Sequence, residues 1–393
     1  MSLSALVAST VALASAQGPA ARPIEVPFRI GEDAIIVDAV VNGRPVSLMF
    51  DTGFSGSVIL NTSINVGPAT GTMRLRDFVG EMEAKTVRMR SLKLGQKEID
   101  VANMEIVQKD GGDYSFSYNT HVDGIMGLEV IAHAVTEINF ERQRFIFYPD
   151  SYDITKKQPD NQRTFLARLL PKGNNSLEML VEASNGKRMT LALDTGNAFF
   201  ATTHRDVLER VGLWPEGRNA QYLKSAFVAS GEVPSWYKRI RDVKIYGVPV
   251  SESVWSIIDL PSSSAEGDGT VGFQFLRNFN ITIDYARRRV WLENFTGEFG
   301  NKIRADVGIS AFPDPRLKRF VVVRVSDSSP AERAGIRRGD HLLAIDGVEI
   351  AGMGFRRVAS LLEGEKGTTV ALAVSRNGEL MRFNLEREYL FNE

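Results

Sequence analysis

The tripeptide Asp-Thr-Gly occurs twice in this chain, in the same setting both times. The first copy is LMFDTGFSG, with Asp51, Thr52 and Gly53, and the second is LALDTGNAF, with Asp194, Thr195 and Gly196. Each follows a short apolar run, and each run follows an Asn-Gly pair. Gly43 stands eight residues before Asp51, and Gly186 stands eight before Asp194. Asn-Gly between two apolar runs is the strongest short hairpin signal. One copy alone reads equally well as an Asp that ends a strand and opens a turn. Two copies in the same setting argue for two carboxylates brought together across a pseudo-twofold axis.

The repetition continues along the chain. SLKLGQKEIDV, with Gly95, has its counterpart in DVKIYGVPVSE, with Gly247. DGIMG, ending at Gly127, has its counterpart in DGTVG, ending at Gly272. Asp51 and Gly127 are 76 residues apart, and Asp194 and Gly272 are 78 apart. This order is an internal duplication of about 140 residues per copy. Short alternating runs between turn signals make both copies mainly β. The halves are placed at 24–158 and 159–298, and residues 159–175 join them with no strong signal of their own. The polar, glycine-bearing stretch 293–302 marks a boundary. A small α+β module follows at 303–390, with a helix at 355–362.

Composition narrows the function. A chain of 393 residues suggests two or three domains. A net charge of −1, with both signs spread along the chain, gives no reason to expect a nucleic-acid partner. Four scattered His and no Cys argue against a zinc or redox centre, so no cofactor and no metal is expected. No G-x-S-x-G elbow is present. Asp110-Gly-Gly-Asp113 reads as a polar loop, since its spacing fits no calcium loop. The N-x-S/T triplets at Asn61, Asn174, Asn280 and Asn294 read as incidental. Residues 1–16 form an apolar stretch ending Ala14-Ser15-Ala16, like a cleavable secretory leader, although no Lys or Arg precedes it. Export to the periplasm or the exterior is the expectation. The stretch is short for a membrane span, so the protein is not expected to be integral to a membrane.

Two carboxylates at hydrogen-bond distance cannot both ionise cheaply, so one keeps a proton while the other is charged. The charged member can take a proton from water as it attacks a carbonyl, and the protonated member can polarise that carbonyl and protonate the leaving amine. Gly53 and Gly196 permit the tight turns that present each Asp. Thr52 and Thr195 can satisfy backbone groups and lock the two loops together.

The paired Asp-Thr-Gly loops, the apolar strands before them and the later apolar-apolar-Gly segments resemble the pepsin and retropepsin aspartic proteases, over roughly residues 26–295. The two fused halves look more like bacterial retropepsin-like proteins than true pepsins. The resemblance implies that Asp51 and Asp194 are the catalytic pair. The family's apolar-apolar-Gly elements fall on Ile125-Met126-Gly127 and Thr270-Val271-Gly272, the second with Thr at its first position. Many pepsin-like enzymes carry Ser or Thr directly after the motif, where this chain has Phe54 and Asn197. Ser55 is a possible substitute in the first loop. The candidate flaps are the stretches around Gly80 and Gly231, read as hairpins that close over a substrate.

In the last module SPAERAGIRRGDHLLAIDG resembles the PDZ signature of bacterial exported proteases, at Ser329-Pro330-Ala331, Ala334-Gly335-Ile336, Gly339-Asp340 and Ile345-Asp346-Gly347. PDZ domains take an extended C-terminal peptide by strand addition beside a helix. The resemblance places the carboxylate-holding loop at residues 306–310, with Val307, Gly308 and Ile309. It places the pocket walls at Val358 and Leu361 of the helix. AFPDPRLKR reads as a long loop ahead of a strand at 320–325.

Three readings follow. The first is an exported aspartic endopeptidase that grips an extended protein segment, with a PDZ domain that recruits or positions it. The second is a non-catalytic peptide-binding or scaffold protein that kept the fold. The third is an adaptor in which the PDZ does the work. Both Asp residues are intact, which favours the first.

Overall fold

The structure, a computed structural model, describes residues 22–76, 81–110, 118, 120–171, 176–214, 223–228, 231–264, 267–302, 304–314 and 319–391. The leader-like residues 1–16, the flap candidate Gly80 and Asp113 lie outside the described residues.

The two Asn-Gly pairs both turn hairpins, by different geometries. Strands Ala34–Val41 and Arg44–Asp51 pair with Val41 opposite Arg44, so Asn42 and Gly43 form a two-residue turn with φ of 47° and 81°. Both central residues are left-handed there, which the right-handed twist of the flanking strands favours. Strands Glu178–Glu182 and Arg188–Leu193 pair with Glu182 opposite Arg188, and the longer loop between them has Gly186 alone of the pair at positive φ, 80°. The dipeptide is shared, while the loop length differs.

Each half builds its own sheet. Among the described residues the first-half sheet has ten strands and the second-half sheet seven. A third, six-stranded sheet joins the halves, in the order Ile24–Pro27, Arg144–Phe147, Thr136–Asn139, Phe279–Asp284, Arg289–Asn294, Thr164–Arg168. Its centre is the antiparallel pair in which Ile138 faces Ile281, with equivalent hairpins of the two halves on either side. The outermost strand on each side is the one that leads into that side's half. Thr164–Arg168 therefore corrects the reading of 159–175 as a bare connector: it pairs along its length with Arg289–Asn294. The apolar core is continuous across both halves, and Phe140 meets Phe273 edge-on at 5.6 Å between ring centroids.

The last sheet has its own core, around Val307, Phe320, Leu342, Val358 and Val370. Its order is Ile309–Asp314, Arg319–Val325, His341–Ile345, Thr369–Arg376, Glu379–Glu386, with the helix Phe355–Leu362 beside it. Ile309–Asp314 is a second correction. The sequence reads its AFPD as loop, yet it is an edge strand opposite Arg319–Val325. Pro313 misled the reading: proline cannot donate to a ladder, and an edge strand tolerates it. The helix Phe355–Leu362 has the bounds its sequence suggests. Among the described residues no helix is long and apolar enough to cross a membrane.

Candidate active site

Asp51 stands at the end of the strand Arg44–Asp51, which pairs in parallel with Gly124–Gly127 so that Asp51 lies beside Gly127. The second half repeats the device. Leu193 pairs with Val271, and the Asp194 N–H donates to the Val271 carbonyl at 3.0 Å, beside Gly272. Both late glycines are required by close approach. A Cβ on Gly127 would sit 2.6 Å from the Phe54 carbonyl oxygen, and one on Gly272 would lie 2.8 Å from the Asn197 side chain and run into the Asn197 and Phe199 carbonyls. Each Asp-Thr-Gly loop is thus seated against the strand that closes behind it.

The carboxylates are fixed by their own loops. Asp51 Oδ1 accepts from the Gly53 and Phe54 N–H groups at 2.8 and 3.3 Å. Asp194 Oδ1 accepts from Gly196 and Asn197 at 2.9 and 3.0 Å. The two carboxyl groups face each other across the seam between the loops. Each lies under the other loop's glycine. A Cβ on Gly53 would come within 2.7 Å of Asp194 Cγ, and one on Gly196 would run into the Asp51 carboxyl group. Asp194 is buried and Asp51 half-buried, while Gly53 is exposed, so the pair opens to solvent on the Asp51 side. Burial raises both carboxyls above the ordinary range. Asp194 is pushed up further by the charge of Asp51, and the loop N–H bonds pull against the rise in both. One proton shared by the pair is the consequence.

The threonines lock the loops. Thr52 Oγ1 donates to Leu193 O at 2.7 Å and accepts from the Thr195 N–H at 3.0 Å. Thr195 Oγ1 donates to Phe50 O at 2.9 Å and accepts from the Thr52 N–H at 3.1 Å. Both side chains are buried.

The residues after the motif bond elsewhere. Asn197 Nδ2 donates to Thr202 and Thr270 at 3.0 and 2.8 Å, and its Oδ1 accepts from the Phe199 N–H at 3.0 Å. It braces its own loop and leaves Asp194 to backbone donors. Phe54 packs on an apolar cluster with Ile59, Ala84 and Val107. Ser55 is exposed and makes no side-chain bond to Asp51, so it does not replace the missing hydroxyl.

The strands beside Gly80, Gly71–Arg76 and Glu81–Arg88, form a hairpin with Arg76 opposite Glu81. Gly231 starts the strand Gly231–Ile245, and the long hairpin it makes with Leu223–Val228 reaches the last domain. In that domain Val307 and Ile309 are buried, Gly308 has φ 86°, Val358 is buried, and Leu361 is partly so. Sequence reasoning did not anticipate Tyr237 against Phe199, with ring centroids at 5.9 Å, or Lys224 paired with Asp306. Neither pair is local in the chain, and no local motif announces either.

Comparison with known proteins finds family matches for two segments of the chain. Residues 37–130 match the aspartyl protease family, and residues 321–376 match the PDZ domain. The chain therefore joins a segment that matches the aspartyl protease family to one that matches the PDZ domain. Among relatives, the "Probable CtpA-like serine protease" of Staphylococcus haemolyticus is 31% identical over 93 residues, 23% of this chain and 19% of that protein. The "Carboxyl-terminal-processing protease" of a Picosynechococcus species is 38% identical over 68 residues, 17% of this chain and 16% of that protein. This chain thus spans under a fifth of the length of either relative. Of solved structures, the aspartic proteinase from Irpex lacteus aligns with a TM-score of 0.44 at 15% identity, covering 70% of this chain and 98% of that one. The photosystem II D1 C-terminal processing protease aligns with a TM-score of 0.22 at 28% identity, covering 23% of this chain and 24% of that one.

Proposed function

We propose that this chain is an aspartic endopeptidase that hydrolyses peptide bonds in extended protein segments. The observation that carries the reading is the Asp51–Asp194 pair: two facing carboxyls, one from each repeat and each seated against the other loop's glycine, whose burial raises their hold on a proton. The aspartyl protease match over residues 37–130 supports it. The relative named as a serine protease shares 19% of its length with this chain, so its catalytic type does not transfer.

The mechanism follows from the pair. The charged carboxylate removes a proton from a water lying between the two groups. The oxygen bonds to the scissile carbonyl carbon while the protonated carboxyl gives its proton to the carbonyl oxygen. The tetrahedral diol collapses as the carboxyl that gained the water proton passes it to the amide nitrogen. The C–N bond breaks, and a diol proton returns to the other carboxylate, restoring one shared proton.

The PDZ domain implies peptide binding, and we assign it the recruitment or placement of the substrate chain. Export of the mature protein from Gln17 is part of the same proposal, on the leader-like residues 1–16.

The test is cleavage of an unfolded protein from about pH 3 to neutral, where such pairs titrate, with Asp51→Asn and Asp194→Asn in parallel. Activity on the acid side in the unmodified chain and none in either variant supports the reading. Three equally inert, folded proteins would remove it.

A further inference from the structure

The hairpin formed by Leu223–Val228 and Gly231–Ile245 leaves the second protease half and ends on the PDZ domain. Its contact there is the loop that sequence resemblance assigns to a ligand's carboxylate. Lys224 makes an ion pair with Asp306, and each side chain is only 8% exposed. The other oxygen of Asp306 accepts from the Val307 and Gly308 N–H groups, at 2.5 and 2.9 Å. Adjacent backbone N–H groups of this kind are a nest for a carboxylate. Here a carboxylate of the chain itself already fills it, and a lysine from the hairpin neutralises that carboxylate. One residue on, the Ser225 N–H donates to Ser310 Oγ at 3.2 Å, and Arg324 Nε donates to Ser225 Oγ at 3.0 Å. Arg324 also pairs with Glu232 across the hairpin at 3.3 Å.

The groove has its own closure. Phe312 of the edge strand meets Phe355 of the helix with ring centroids at 5.7 Å. Arg356 of the same helix pairs with Asp33 of the first half at 3.0 Å. Both walls of the groove therefore face the protease body.

The hairpin also touches the other site. Lys224 Nζ lies over the Tyr237 ring at 5.2 Å, and Tyr237 packs on Phe199. The Phe199 N–H is held by Asn197, whose own N–H is on Asp194. An unbroken set of contacts thus runs from the PDZ loop to the candidate active-site loop. Burial pulls the Lys224 ammonium down, and the Asp306 charge and hydrogen bond, together with the charges of neighbouring groups, more than offset it, so Lys224 stays charged and paired.

We propose that this hairpin is a latch: Lys224 and Asp306 hold it on the PDZ carboxylate loop, and it must leave that loop before an extended protein segment can enter the cleft. A peptide with a free C-terminal carboxylate and an apolar last residue is the ligand class that would release it. Its carboxylate would replace that of Asp306 on the loop amides, beside the buried apolar side chains of Ile309, Ala311 and Val358. Coupling is reciprocal: what favours the released hairpin at one site favours it at the other. The cleavage part of this inference rests on the endopeptidase reading.

The chain has no Cys, so a clean disulfide lock is available. Ser225→Cys with Ser310→Cys in the full chain links the hairpin to the edge strand. The oxidised protein is expected to cleave an unfolded protein about tenfold or more slowly than the same protein after reduction with dithiothreitol. Equal cleavage by the oxidised and reduced forms overturns the latch. A second arm reads the latch without activity. Lys224→Met, which leaves Asp306 on the loop amides, is expected to speed hydrogen exchange about tenfold or more across residues 223–245, with residues 279–294 unchanged. Unchanged exchange in the hairpin also overturns it. If the unmodified and reduced proteins are both inert, the endopeptidase reading fails, and the exchange arm still decides the latch.

Discussion

Thr52 and Thr195 bond to each other's loops reciprocally: each hydroxyl accepts the other residue's N–H and donates to a carbonyl in the other half's strand. Four hydrogen bonds thereby join two loops that are 143 residues apart in the chain. The joint is buried, so an unmade bond cannot be replaced by water.

Thr52→Val keeps the shape and removes the hydroxyl. The Thr195 N–H and the Leu193 carbonyl then lose their partner, at about 1–3 kcal/mol for each buried group. Thr52→Val is expected to lower Tm by several degrees and to reduce kcat, because the two Asp loops lose their common reference. Thr52→Ser keeps the hydroxyl and should retain most of both. Thermal unfolding and cleavage rates of the two variants check this, and equal loss in both would count against the hydroxyl.

The glycines of the motif are tested by one methyl group. Gly53→Ala puts a Cβ 2.7 Å from Asp194 Cγ, and Gly196→Ala drives one into the Asp51 carboxyl group. Either substitution must spread the pair. Both are expected to cut cleavage by about a hundredfold or more, since displacement of about 1 Å costs that much, with smaller effects on Tm. Gly43→Ala is the control, in a turn with nothing within 4 Å of the added Cβ but φ of 81°. It should cost stability and spare kcat.

The pH dependence follows from the carboxyl pair. Burial, and for Asp194 also the charge of Asp51, lifts the folded-state values above the ordinary 3.8. The folded chain then holds a proton that the unfolded chain has released, so stability falls as pH rises from the ordinary value through the raised one. This contribution is fully present below the ordinary value and lost above the raised one. Asp194→Asn removes the second charge. It is expected to raise Tm at neutral pH relative to the unmodified chain, to leave it nearly unchanged near pH 3, and to abolish cleavage at both. Calorimetry across that range decides it, and a Tm difference independent of pH would contradict the shared proton.

Local signals made much of this molecule readable. Asn-Gly pairs marked the hairpins behind Asp51 and Asp194, and the similar spacings to Gly127 and Gly272, 76 and 78 residues, exposed the duplication. What escaped was long-range or disguised. Thr164–Arg168 is a strand because Arg289–Asn294 needs a neighbour, and nothing within five residues says so. Ile309–Asp314 hides behind Pro313. Lys224 and Asp306 are 82 residues apart, and nothing local to either announces the other until the fold buries them together.

Asn197 carries the last prediction. It stands where a hydroxyl residue is common in related enzymes, and it spends its side chain on Thr202, Thr270 and the Phe199 N–H. Thr270 belongs to the strand that closes behind Asp194, so Asn197 ties the loop to that strand. Asn197→Ala leaves these partners unpaired, at about 1–3 kcal/mol in stability, and frees Phe199 to shift against Tyr237. Asn197→Ser is too short to span both threonines. Its hydroxyl would sit near Asp194 and offer a side-chain donor. Asn197→Ala is expected to lower Tm and kcat together. Asn197→Ser is expected to lower Tm as much while keeping more of kcat and shifting the activity profile to lower pH, because a donor favours the charged carboxylate. Parallel melting curves and pH–rate profiles separate the two, and identical profiles would show that the loop brace alone matters.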